Sequence, residues 1–195
     1  MHRRALLAAP LLALPAATWA LPASGYRFRL LREGREIGTH TVRPEPGGVI
    51  RTLVVLEVKL LSFTAFRMTH DYAEHWQDSR LVGFAARTVR NGAEGRLRLV
   101  ATPEGLRGDG PEGPVRLPAE AAPLSWWAPE RLNRPLFDTA TGQPLASAPR
   151  HSREGALTRW EWPARGMVAL YDAKGTWVAF SMRGDDGSVV RYEAD

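Results

Sequence analysis

The chain has 195 residues, 44% of them hydrophobic and 24% charged, which suits one folded domain and excludes general disorder. It contains no cysteine, so disulfides, thiolate metal sites and a thiol nucleophile are all excluded, as befits an oxidising destination where stray thiols are a hazard. The formal charge of +5 is carried almost wholly by arginines interleaved with acids, without the basic block that a nucleic-acid stripe requires.

The N-terminus has the anatomy of a secretory signal peptide. Met1-His2-Arg3-Arg4 is a basic head, Ala5 to Ala17 is apolar, and Thr18-Trp19-Ala20 offers small residues for cleavage near Ala20. The apolar run is shorter than the roughly 20 residues that span a bilayer and contains Pro10 and Pro15. No cysteine follows it to accept a lipid. Residues 1–20 are therefore expected to be removed, leaving 21–195 as one domain in the periplasm or outside the cell, with no transmembrane anchor. Arg3-Arg4 fits both the general and the twin-arginine routes. Loss of this pair leaves 24 basic against 21 acidic residues, a net +3.

From Tyr26 the pattern has period two, with Tyr26, Phe28 and Leu30 alternating with Arg27 and Arg29, as in a strand with one face on the core. Glu33-Gly34 turns into a second strand through Ile37, Thr39 and Thr41, closed by Pro44 to Gly48. Val54, Leu56, Val58 and Leu60 then alternate with Glu57 and Lys59. After Ser62-Phe63-Thr64 the chain resumes as Phe66, Met68, His70, Tyr72, Glu74 and Trp76. A strand over Leu81 to Val89 reaches Asn91-Gly92, a hairpin signal, and Leu97 and Leu99 continue the meander. Glu104-Gly105 and Gly108-Asp109-Gly110 read as punctuation. Pro118 to Gly142 is the long irregular segment, with a helical turn expected at Pro129 to Asn133. Strands resume at Thr158, Trp160 and Trp162, continue over Met167 to Tyr171, and end in a pair around Gly184 to Gly187. Short strands, frequent turns and 18 glycines and 15 prolines predict an all-β fold. We expect an antiparallel meander of about ten strands curled into a barrel or half-barrel, with a β-sandwich as the alternative.

Chemical motifs are sparse. His70 and His75 are an odd number of residues apart on one strand, so they face opposite ways and cannot share a metal without a bulge. Asp71 and His75 share a face but lie about 13 Å apart, beyond hydrogen-bond reach. No Gly-x-Ser-x-Gly elbow, Ser-x-x-Lys pair or phosphate loop occurs, and no cofactor or metal is implied. If the chain is a hydrolase, its polar groups should converge across strands near Glu74, His70 and Ser125.

Aromatic residues on strands stand out instead. Tyr72, Trp76 and Trp177, with Trp126 and Trp127 in the long loop, could line a pocket for an apolar ligand or simply fill a core. Alternation puts Glu74 on the same face as Tyr72 and Trp76, and a carboxylate among aromatics requires a partner such as an arginine. The candidate ligand-binding set is Tyr72, Glu74, Trp76, Trp126, Trp127 and Trp177.

In order and spacing, the chain resembles an uncharacterised family of exported bacterial proteins classed as a domain of unknown function. The resemblance rests on Tyr26 to Gly38, with its Gly34-Arg35-Glu36-Ile37-Gly38; on His70 to Trp76, with its Glu-x-Trp; and on Arg80-Leu81-Val82. Further matches are Ser125 and Trp127, the Leu136 to Gly142 turn, and Tyr171-Asp172 followed by Gly175 and Trp177, with Leu170 standing where an aromatic is expected. Such families are similar to the curved half-barrels of periplasmic lipoprotein carriers, a likeness of fold that brings no catalytic residues. Two functions stay open beside the hydrolase: a periplasmic module holding a lipid or other apolar small molecule, and a structural or interaction protein of the envelope that offers a sheet edge or an exposed Trp126-Trp127 to a protein partner.

Overall fold

Alternating strands bury one face only if neighbours satisfy their backbone groups and something covers the apolar side. A computed structural model describes residues 21–60, 63–184 and 186–195; the export segment read in residues 1–20 lies outside them. The described residues form fifteen strands. The first eight are β1 (Tyr26–Arg32), β2 (Arg35–Glu45), β3 (Val49–Leu60), β4 (Phe63–Gln77), β5 (Arg80–Arg90), β6 (Ala93–Thr102), β7 (Gly105–Gly110) and β8 (Gly113–Leu117). After them come β9 (Ala122–Pro123), β10 (Leu136–Phe137), β11 (Arg150–Glu154), β12 (Leu157–Trp162), β13 (Met167–Tyr171), β14 (Trp177–Arg183) and β15 (Val189–Ala194), with short 3-10 turns at Pro129–Arg131 and Pro163–Arg165. No helix among the described residues is long and apolar enough to cross a membrane.

Thirteen strands make one antiparallel sheet in the order β11-β12-β13-β14-β15-β1-β2-β3-β4-β5-β6-β7-β8. It is the expected meander, left open as a half-barrel. The last strand returns to pair with the first, Leu30 opposite Tyr192, so the chain ends meet in the middle of the sheet. The free edges are β8 and β11, and the residues between them, 118–149, must cross from one edge to the other. This crossing strap contains the small parallel pair β9-β10. All five residues of β11 are exposed and three are charged, which discourages further strand addition at that edge.

The inner face is apolar and aromatic: Phe28, Leu30, Val42, Val54, Tyr72, Phe84, Leu97 and Phe180 are all buried. In β2 the core-facing residues are His40 and Val42, while Thr39 and Thr41 lie on the more open face. Asn91 and Gly92 both have positive φ, 49° and 89°, the backbone a two-residue hairpin demands.

The sequence falls short of the structure in strand number. Gly105 and Gly110 bound β7 beside turns, as their reading as punctuation expects, but Gly108 is interior to the strand. A Cβ on Gly108 would sit 1.8 Å from the carbonyl oxygen of Arg98 on β6, so this position needs glycine for close backbone approach. Strand β11 also escapes sequence reading, because it has no buried face and hence no alternation. Gly108→Ala is expected to destabilise the fold by about 2 kcal/mol or more, read as a lower urea midpoint with an unchanged m-value.

Candidate functional site

The strap is held where β4 presents Tyr72, Glu74 and Trp76 on one face. Glu74 is fully buried, and a carboxylate there must be surrounded by donors. Oε1 accepts hydrogen bonds from Ser125 Oγ at 2.5 Å and Trp127 Nε1 at 3.0 Å, and Oε2 accepts one from Trp76 Nε1 at 2.8 Å. Arg131 supplies the opposite charge, its Nη1 3.8 Å from Oε2. The guanidinium is itself held between indoles, 3.7 Å from the Trp76 ring centre and 4.5 Å from that of Trp127, the geometry in which arginine gains cation–π attraction. Burial pushes the Glu74 carboxyl up, while Ser125, Trp127, Arg131 and Trp76 oppose it. Burial likewise pulls the Arg131 guanidinium down, against the pull of Glu74. The partner that the sequence demanded for Glu74 is thus Arg131, 57 residues away in the chain.

Three of the six candidates, Glu74, Trp76 and Trp127, meet in this cluster, and Tyr72 joins through its hydroxyl, 3.3 Å from Ser125 Oγ. Trp126 points the other way, its ring 5.2 Å from Phe180 and its carbonyl accepting the Tyr171 hydroxyl at 2.5 Å. It joins the strap to β13 and β14. Trp177 belongs to a separate aromatic group with Tyr26, Phe28, His40 and Tyr192. All six are buried, and none is among the residues that line the hollow described below. Their aromatic bulk fills the core and fastens the strap. Ser125 and Glu74, 3% and 0% exposed, are sealed in the same packing, and His70 is turned toward other partners.

The row His40, Val54, His70 runs across β2, β3 and β4, placing both imidazoles in the interior. His70 is satisfied, Nδ1 to Thr88 Oγ1 at 2.8 Å and Nε2 to Thr139 Oγ1 at 2.9 Å, the second contact being another strap anchor. His40 has no partner for either ring nitrogen among the described residues. Burial lowers His40 to about 3 and His70 to about 4, with Asp138 and Asp71 opposing the fall at His70. Both rings are neutral at pH 7.

Beyond this row the half-barrel opens. A hollow of about 860 Å³ is lined from one side by Leu56, Val58, Phe66 and Met68 and from the other by Met182 and Val190. Strands from both halves of the sheet therefore face one another across it. Its apolar side chains are half-buried. At the mouth stand Arg32, Arg90, Arg165 and Arg183, with Asp186 and Ser188. This volume lies in the range of small-molecule pockets. The sequence marks Leu56, Val58, Phe66 and Met68 as inward by alternation, but alternation cannot tell inward residues that the strap covers from those it leaves bare.

Architecture first defines the class: an open antiparallel half-barrel, plugged at one end and hollow at the other. The chain belongs to the family of the domain of unknown function DUF6134, whose pattern matches residues 28–195, in keeping with the resemblance read from the sequence. It is also similar to the 1.80 Å crystal structure of a DUF1089 family protein from Pseudomonas aeruginosa, with a TM-score of 0.47 and 14% identity over 90% of this chain and 95% of that one. No curated protein matches it.

Glu74→Gln replaces an acceptor with a donor facing indole N–H groups and leaves Arg131 with only the exposed Glu130 carboxylate, 3.6 Å from its Nε, as counter-charge. We expect a loss of about 3 kcal/mol, with Glu74→Gln/Arg131→Met costing about 1 kcal/mol less than the sum of the single changes, both measured by urea unfolding. The two histidines make a separate prediction. Their folded pKa values lie below the unfolded value of 6.5, so the unfolded chain binds more protons below that pH. Their contribution is complete above pH 6.5 and is lost as pH falls toward 4 and then 3. Each should steepen the decline by up to about 1.4 kcal/mol per pH unit in that window. His40→Leu should flatten the acid limb by one such increment without lowering the melting temperature at pH 7, because it removes an unpartnered polar ring.

Proposed function

We propose that the protein is exported and holds an apolar, lipid-like molecule in the open end of its half-barrel. The observation that carries this reading is the hollow of about 860 Å³, whose apolar lining is left half-exposed in a chain otherwise able to bury its aromatics. A bare apolar concavity is unfavourable in water, and filling it with hydrocarbon gains about 25 cal/mol per Å² removed from solvent. Export is supported by the basic head, apolar run and small-residue cleavage site of residues 1–20, and it would bring the domain to the compartment through which envelope lipids pass.

The other two readings have weaker support. An interaction protein using the Trp126-Trp127 pair needs that pair exposed, and the residues are 7% and 6% exposed. A hydrolase using Ser125 and Glu74 needs a cleft, and both are enclosed by indoles and the strap. Their hydrogen-bonded carboxylate acts as a fastening.

The test is binding of a neutral, environment-sensitive apolar dye, N-phenyl-1-naphthylamine, to the mature protein. Saturable binding is expected. Met68→Arg and Val58→Glu, which place charge among the apolar lining, should each weaken it about tenfold or more, while Trp127→Phe, away from the hollow, should leave it unchanged. Equal binding by all four proteins would overturn the assignment.

A further inference from the structure

On the outer face of the sheet some arginines are paired with carboxylates, while others, such as Arg43, Arg98, Arg116 and Arg191, have no such partner among the described residues. Arg27 pairs with Asp195, Arg51 with Asp71, Arg67 with Glu57, and Arg87 with Glu94. What sets the mouth of the hollow apart is convergence around an apolar wall. Four arginines converge there from four separate elements, β1, β5, the 3-10 turn at Pro163–Arg165 and β14. The carboxylate among the described residues of the lining is Asp186, and Arg32 engages it at 2.5 Å. Arg165 lies 3.7 Å from Asp138 and 5.5 Å from the Trp162 ring centre. Arg90 and Arg183 have no carboxylate partner among the described residues. The Arg90 guanidinium stands 5.7 Å from the Phe66 ring centre, at the junction between polar rim and apolar wall. Arg183 lines the hollow and donates one bond to the Gly187 carbonyl.

Guanidiniums gathered at the rim of an apolar hollow repel one another and favour an approaching negative group. The arrangement is complementary to an amphiphile that lays its alkyl chain along Leu56, Val58 and Met68 and brings a negative group to the rim, where guanidinium forks bind carboxylate and phosphate oxygens with charge-assisted bonds. Resting on the binding reading above, we infer that the ligand is a single-chain amphiphile with an anionic head, recognised at the mouth by Arg90 and Arg183.

Displacement of N-phenyl-1-naphthylamine by four ligands of one chain length tests this: decanoate, decyl phosphate, decanol and decyltrimethylammonium, all below micelle formation. Decanoate or decyl phosphate should displace the dye at about tenfold lower concentration than decanol, with the cationic ligand weakest. Whichever anion is tighter identifies a carboxylate or a phosphate head. The preference should shrink with added salt and vanish in Arg90→Gln/Arg183→Gln, which should still bind dye and decanol and melt as the parent does. Equal displacement by neutral and anionic ligands, or an intact preference in the double variant, would overturn the head-group assignment and leave apolar binding standing. Failure of the dye to bind at all would overturn both.

Discussion

A carboxylate placed among indoles inside a β-sheet is tolerable only if donors enclose it, and Glu74 is placed there by simple alternation along β4. Its three hydrogen bonds and the nearby guanidinium of Arg131 come largely from the strap, a segment 50 to 60 residues further along the chain. The strap must therefore lie across the inner face at this level and no other. Once it does, the rest of the molecule follows: Thr139 reaches His70, Trp126 reaches Tyr171 and Phe180, and Phe137 packs edge-on against Phe84. A buried polar cluster is seldom a source of net stability against a well-packed apolar one. Its value here is that it fixes where a long crossing segment docks.

That docking makes the half-barrel asymmetric. One end is filled by aromatics and sealed, and the other is hollow. The histidine row marks the boundary between the two. The hollow keeps half-buried apolar walls beneath a rim where four arginines converge. Sealed polar chemistry at one end and open apolar surface at the other are the contrast on which the binding proposal rests.

Much of the architecture was legible in the sequence, because alternation over Tyr26–Leu30, Val54–Val58 and Phe66–Trp76 is direct evidence of strands with one buried face. Asn91-Gly92 located a hairpin through its backbone requirement. Strands without a buried face, such as β11, or built on glycine for close approach, such as β7, leave no such trace. The site was legible in a different way. Glu74 with Trp76, and Ser125 with Trp127, stand out as residues, and the need for an arginine follows from burial alone. Which arginine could not follow, since Arg131 is brought to Glu74 by tertiary docking. Nor could the sequence separate covered aromatics from an open pocket, because both face inward with the same period. Membership in a domain-of-unknown-function family, matched over residues 28–195, agrees with the order of short motifs along the chain.

The account stands on the claim that the strap end is closed and the opposite end receives the ligand. Peptide-resolved hydrogen exchange of the mature protein, with and without saturating decanoate, tests this most directly. Ligand should slow exchange at the β3 and β4 residues around Leu56 to Met68, at 163–167 and at 182–190, and leave the strap at 122–139 unchanged. Slowed exchange confined to the strap, with the open end unaffected, would contradict it and move the binding site to the Glu74 cluster.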